Sequence, residues 1–155
     1  MRAKERPRNE EKKSGAFTLP VKAGALYFAV MFILGWVTGA VREVLFIPLL
    51  GLAIGTVIEA IILIGAMFVS LHGLNWLLGI PSGLSTRVIM GLVALGLLLP
   101  AEVLGARIFR GQSAIAFLFP SDLFYAAVQW GLLMLFAAMP LLVRRHWKLG
   151  DEISS

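Results

Sequence analysis

Four long apolar runs are the feature that most constrains this sequence. Hydrophobic residues make up 59% of its 155 residues, whereas soluble domains contain roughly 45–50%. A membrane-spanning helix needs about 20 consecutive apolar residues, and the runs predict spans near residues 23–46, 49–70, 86–104 and 122–143. The predicted fold class is therefore all-α, a polytopic transmembrane bundle of four helices joined by short hairpin loops.

The composition divides the chain into three parts. Residues 1–20 mix both signs of charge with few large apolar side chains, a pattern typical of a disordered basic tail. Residues 21–147 contain the predicted four-helix transmembrane domain, and residues 148–155 form a short tail that we expect on the cytoplasmic side.

The basic residues predict the orientation of the bundle. Of the 14 lysines and arginines, seven precede the first span, Arg87 lies at the loop between the second and third spans, and three follow the fourth. Only Arg42, Arg107 and Arg110 fall at the opposite end. Because basic residues collect on the cytoplasmic side, we expect a multi-pass protein of the inner (cytoplasmic) membrane with both termini in the cytoplasm.

Polar side chains collect in the half of the bundle that this orientation places outside. Charges within apolar spans are costly, and each requires a partner, water or a function. We predict an intramembrane polar and charged cluster that forms an outward-facing cup ending at Glu59, made of Arg42, Glu43, Glu59, Glu102, Asp122, Tyr125 and Gln129.

Arg42 is the member of this cluster that most needs a partner. Arginine stays charged in essentially any protein environment, and Arg42 shares a helix face with Gly35 and Gly39, which directs it towards the other helices. Glu59 lies on the neighbouring helix of the first hairpin, at a depth that differs from that of Arg42 by roughly 8 Å, and Glu102 is closer in depth. We therefore predict an ion pair between Arg42 and one of these two glutamates.

Small residues recur at helical spacing on the same faces. Such residues let neighbouring membrane helices approach closely. The spacing predicts helix-packing roles for Gly35, Gly39, Gly51, Gly55 and Gly91.

The sequence also argues against several kinds of function. It contains no cysteine and two histidines, so we expect neither a metal site nor a cofactor. No catalytic motif occurs, and we therefore expect that the protein is not an enzyme. The excess of basic residues fits lipid headgroups better than nucleic acid, because no folded basic domain is predicted.

Two functional classes remain. The first is an accessory or structural subunit that meets other membrane-protein subunits, or further copies of itself, within the lipid bilayer. The alternative is a small transporter or an ion- or proton-conducting protein that uses the outward-facing cup. We favour the first, because the inner half of the bundle offers no second polar path.

One motif suggests a family. Residues 39–51 read G-x-x-R-E-x-x-x-x-P-x-x-G, and the runs RVIMGLVALGLLLPAE and LMLFAAMPLL follow in the third and fourth spans. Over most of residues 24–143 the chain resembles a group of uncharacterised small bacterial four-span integral membrane proteins. The resemblance implies the four-span topology but no activity, and it marks Arg42, Glu43, Pro48, Gly51, Glu59, Arg87 and Glu102.

Overall fold

The computed structural model describes the backbone of residues 6–153 and the side chains of residues 18–143. Its ordered elements are all helical in this part of the chain. They are α1 (Arg6–Val41), a π-helical segment (Arg42–Phe46), α2 (Ile47–Leu50), α3 (Leu52–Leu78), α4 (Leu84–Arg110), α5 (Ala114–Leu118) and α6 (Leu123–Ile153).

Four of these stretches are long and apolar enough to cross a membrane. They are Thr18–Leu50, Leu52–Leu78, Leu84–Arg110 and Leu123–Val143. At about 1.5 Å per residue, α3 and α4 are each about 40 Å long, more than the roughly 30 Å of a hydrocarbon core. The predicted all-α bundle of four long helices is confirmed, and the chain is a polytopic membrane protein.

The four long helices pack as a ring. Helix α1 contacts α3 and α4, and α6 contacts the same two helices. Consequently α1 and α6 face each other across the centre. There the rings of Tyr27 on α1 and Phe136 on α6 stack with their centroids 4.6 Å apart.

The two ends of the bundle differ, and we name each after a glycine. At the Gly51 end, Gly51 joins α2 to α3, and α4 is linked to α6 through α5. At the Gly79 end, a short loop that begins at Gly79 joins α3 to α4. Both glycines have positive φ, of 83° and 54°, a backbone conformation that glycine adopts at little steric cost.

The half of the bundle towards the Gly79 end is tightly packed. Its core contains Ala23, Tyr27, Leu71, Met90, Ala94 and Phe136, each essentially inaccessible to solvent. A Cβ atom on Gly91 would overlap the carbonyl oxygen of Ala137, and one on Gly24 would lie 2.7 Å from that of Met90. The helix backbones therefore touch in this half.

The helices extend further than the apolar runs predict. Helix α1 begins at Arg6, within the stretch expected to be a disordered tail, where arginine, glutamate and lysine are good helix formers. The other long helices also pass the predicted bounds of 49–70, 86–104 and 122–143 at one end or both. The hydropathy pattern marks the membrane-embedded part of a helix, whereas backbone hydrogen bonding continues through its polar ends.

The helical stretch that begins with α1 and continues through the π-helical segment and α2 ends at Leu50, later than predicted. We expected it to end at residue 46, before Pro48, but the structure places Pro48 within the first turn of α2. Proline is tolerated there because the first turn of a helix does not need its missing N–H group. The reversal occurs at Gly51 instead.

Candidate functional site

The first helix widens where it carries its charged residues. Residues Arg42–Phe46 form a π-helical turn, and the N–H group of Ile47 donates to the carbonyl oxygen of Arg42. Pro48 follows directly and has no N–H group to continue an α-helical ladder. Segments of this kind are frequent at functional sites, and this one presents Arg42 and Glu43 to the Gly51 end of the bundle.

Arg42 lies at the centre of a buried ion pair. Its Nη1 atom is 2.8 Å from Oε2 of Glu59, and its Nη2 atom is 2.8 Å from Oε1 of Glu43. The Arg42 and Glu59 side chains are only 9% and 11% exposed, whereas that of Glu43 is 59% exposed. The Arg42 guanidinium also lies 5.6 Å from the ring centroid of Tyr125, so that one side chain connects α3 and α6 to the first helix.

Glu102 occupies a different position from Glu59. It lies on α4, is half-buried, and lines the same cavity as Arg42. Among the residues that the structure describes, it forms neither a hydrogen bond nor an ion pair. Of the two carboxylates predicted as partners of Arg42, the structure brings Glu59 into contact and leaves Glu102 unpaired.

The polar residues at the start of α6 have separate tasks. Asp122 is exposed, and its Oδ1 atom accepts a hydrogen bond of 2.8 Å from the backbone N–H group of Tyr125. It therefore caps α6. Gln129 donates from Nε2 to the carbonyl oxygen of Phe117, 3.0 Å away. This bond fixes α5 against α6, with the Phe117 side chain buried.

A cavity of about 330 Å³ runs down the centre of the bundle from these residues. The cavity wall near the Gly51 end includes the Arg42–Glu59 pair. At the far end of the cavity lie Met31, Met67 and Phe136. From Tyr125 to Phe136, both on α6, is a distance of about 16 Å along the helix axis. The half of the bundle towards the Gly51 end is therefore hollow. The cavity wall is polar near the Gly51 end and apolar at the far end.

A second space of about 480 Å³ lies against the mouth of this cavity. Asp122 and residues of the α4–α6 connection line it. It shares six lining residues with the deep cavity, namely Arg42, Glu43, Arg110, Phe117, Tyr125 and Gln129. We call it the vestibule.

Three buried polar atoms on cavity-lining residues have no hydrogen-bond partner in the described part of the chain. They are Nε1 of Trp36, Nε of Arg42 and Oε1 of Gln129. A buried group left unpaired costs about 1–3 kcal/mol. Two donors and one acceptor on residues that line the cavity therefore lack a partner in the described structure, although the atoms themselves are buried.

Two of the predicted packing glycines, Gly55 and Gly91, lie in close contacts, and Gly39 lies at an ordinary van der Waals distance from its neighbour. A Cβ atom on Gly39 would lie 3.5 Å from Oε1 of Glu59, and one on Gly55 would lie 3.1 Å from Cβ of Phe46. Gly91 adjoins the backbone of α6, as described above. The missing side chain at Gly55 makes room for the π-helical segment, whereas a Cβ atom at Gly39 would fit beside Glu59.

The packing roles predicted for Gly35 and Gly51 stay predictions, since neither glycine lies in a close contact within the described chain. A Cβ atom at either position would meet nothing within 4 Å, because Gly35 faces the cavity and Gly51 forms the turn. Gly105 lies in a close contact that the sequence does not predict: a Cβ atom there would lie 2.5 Å from the ring of Trp36. A small residue on α4 opposite a tryptophan on α1 becomes apparent only when the two helices are known to be neighbours.

Arg87 is a second residue whose role the sequence did not reveal. From the sequence, Arg87 is expected in the loop between the second and third spans. In the structure it lies within α4 and is only 4% exposed. Its Nη1 atom donates to Oδ1 of Asn75, and its Nη2 atom donates to the carbonyl oxygen of Ile80, 3.3 Å away. Arg87 thus holds the α3–α4 loop at the end of the bundle opposite the cavity.

The acidic residues of the site do not form a metal-binding group. In the described part of the chain, no three histidine, aspartate or glutamate side chains come together so that they could hold a metal ion.

Comparisons with protein-family models, with curated proteins and with solved structures found no match. The family resemblance therefore stays a prediction, and the architecture of four long apolar helices is what the structure supports.

Proposed function

We propose that this membrane protein binds a small molecule in the central cavity and receives it through the vestibule at the Gly51 end. The observation that carries this proposal is the cavity of about 330 Å³, within the range of about 300–1,000 Å³ typical of ligand sites. Its wall combines apolar side chains with a few convergent polar groups, the composition typical of such sites.

The Gly51 end faces the outside of the inner membrane in this proposal. The distribution of basic residues supports that orientation, because both termini and Arg87 would then lie on the cytoplasmic side. The ligand would enter from the aqueous phase or from the outer leaflet.

Most residues of the cup predicted from the sequence line this cavity. Conduction of ions through the bundle is nevertheless a weaker proposal than binding. Below Met31 and Met67 the described core is apolar and tightly packed, with the Tyr27–Phe136 stack at its centre. An ion in transit would have to cross this region without polar partners, which is costly. The geometry favours binding over passage.

The predicted role as an accessory subunit is compatible with ligand binding. A subunit of a larger membrane complex can hold a small molecule for its partner. Recovery of a second protein at fixed stoichiometry after gentle solubilisation would support that role, whereas a chain that purifies alone would oppose it.

Cysteine labelling tests the cavity directly, because the chain contains no native cysteine. Gly35 lines the cavity and has open space around it, and Gly65 is an exposed glycine of α3 with equally open surroundings. Membrane-impermeant thiol reagents, one cationic and one anionic, are added outside intact cells. We expect labelling of Gly35→Cys by at least one reagent and no labelling of Gly65→Cys, which would face lipid. If neither reagent reaches Gly35→Cys, the proposal fails.

A further inference from the structure

The charges on the cavity wall indicate the chemistry of its ligand. Three glutamates and two arginines line the cavity: Glu43, Glu59, Glu102, Arg42 and Arg110. With all five ionised, the wall carries a formal charge of −1. Arg42 is already paired with two carboxylates, so it offers little attraction to an anion.

The remaining two charges lie at different depths. Arg110 is the last residue of α4 and is exposed at the mouth, where solvent and salt screen it. Glu102 is half-buried two helical turns deeper, about 12 Å along the axis. Arg110 acts on Glu102 electrostatically but forms no ion pair with it in the described part of the chain, so Glu102 is the cavity carboxylate without a paired cation.

Aromatic rings line the same cavity as this carboxylate. Trp36 packs on α4 at Gly105, one turn from Glu102, and its ring meets that of Phe109 edge to face with centroids 4.8 Å apart. Phe117, Tyr125 and Phe136 also line the cavity. The face of an aromatic ring attracts a cation, most strongly in the case of tryptophan.

Polar and apolar contacts on the same wall complete the site. Gln129 lines the cavity and carries a buried acceptor, Oε1, that has no partner in the described part of the chain. The floor is formed by Met31, Met67 and Phe136, and methionine side chains adapt to apolar groups of varied shape.

We propose that the ligand is a lipophilic monovalent cation, an amine or quaternary ammonium group that carries an apolar body. Its charge lies between Glu102 and the Trp36 ring, and its apolar body extends towards Met31 and Met67. This inference rests on the proposed function, since it requires that the cavity admits a small molecule.

The test compares two small aromatic ions of opposite charge. Binding of benzyltrimethylammonium and of benzenesulfonate is measured by calorimetry on the purified full-length chain in a non-ionic detergent. We expect saturable binding of the cation and none of the anion. Glu102→Gln, which keeps the side-chain volume, should weaken cation binding at least about tenfold.

Two control variants separate the local charge from the general field. Arg107→Gln removes an exposed charge of α4 that lines neither the cavity nor the vestibule, so we expect less than about a threefold change. Arg110→Gln removes the positive charge at the mouth, and cation binding should be retained or become tighter. Retention of the wild-type elution profile and melting temperature by Glu102→Gln would show that it folds.

Three results would overturn the inference. Benzenesulfonate binding that is lost in Arg110→Gln would identify an anion site instead. Equal cation binding by Glu102→Gln and the wild type would remove Glu102 from the site. Absence of binding of both probes, although thiol reagents label Gly35→Cys from outside, would refute the ligand class and leave the proposed function intact. Without labelling of Gly35→Cys, both proposals would fail.

Discussion

Removal of the Arg42 side chain should lower the free energy of unfolding of the bundle substantially. Arg42→Ala leaves Glu59 with its charge 11% exposed and with no other hydrogen-bond partner among the described residues. Breaking a buried pair by removing one member costs about 3–5 kcal/mol, because the other charge is stranded. The adjacent cavity gives Glu59 some access to water, so we expect a loss of about 3 kcal/mol, at the lower end of that range.

Substitution of Glu59 should have a smaller effect. Glu59→Gln keeps an oxygen that can accept from Arg42, and the guanidinium retains its contact of 2.8 Å with Glu43. Replacement of both members of the pair by apolar residues, as in Arg42→Met with Glu59→Leu, should recover most of the stability lost in Arg42→Ala. Neither charge is then buried alone.

Thermal unfolding in detergent measures these differences. At about 2–4 °C per kcal/mol for a chain of this length, Arg42→Ala should lower the melting temperature by roughly 6–12 °C. Arg107→Ala, which removes an exposed arginine of α4, is the matched control and should change stability by less than about 0.5 kcal/mol. If Arg42→Ala melts with the wild type and with Arg107→Ala, the buried pair does not stabilise the bundle and our reasoning is wrong.

Two further predictions concern packing and topology. Substitution of glycine by alanine within a helix normally stabilises a protein by about 0.5–1 kcal/mol. We expect that gain for Gly65→Ala, which lies in open space. Gly91→Ala should instead lower the melting temperature, since its Cβ atom would overlap the Ala137 carbonyl oxygen. Equal shifts for both variants would contradict the close approach of α4 and α6. A cysteine at exposed Gln112 should react with an impermeant thiol reagent outside intact cells, whereas one at Ser82 should react only after the membrane is permeabilised. The reverse pattern would invert the proposed orientation.

The sequence predicts the number and type of helices well, for a physical reason. A span of about 20 apolar residues is a local requirement of the bilayer, so each helix can be recognised separately from the others. The need of a charged arginine for a partner is also local. For that reason Glu59 could be named as one of two candidate partners of Arg42 before the helices were placed.

Features that depend on the arrangement of several helices could not be predicted in the same way. The cavity exists because α1 and α6 lie on a diagonal of the ring of four helices. The sequence of one helix does not reveal the separation between those two helices. Gly35 illustrates the difficulty: its spacing is that of a packing glycine, yet it lines the hollow half of the bundle. Gly105 shows the converse, since its role depends on the ring of Trp36 on another helix.

The central claim is that the hollow half of the bundle receives a small molecule, and protection from labelling tests it most directly. The rate at which an impermeant thiol reagent modifies Gly35→Cys is measured as benzyltrimethylammonium is titrated, with Gln112→Cys as the exposed reference. We predict that the cation slows modification of Gly35→Cys saturably and leaves that of Gln112→Cys unchanged. If the rate at Gly35→Cys does not change at any concentration, or falls in parallel with that at Gln112→Cys, the cation does not occupy the cavity and the claim is contradicted.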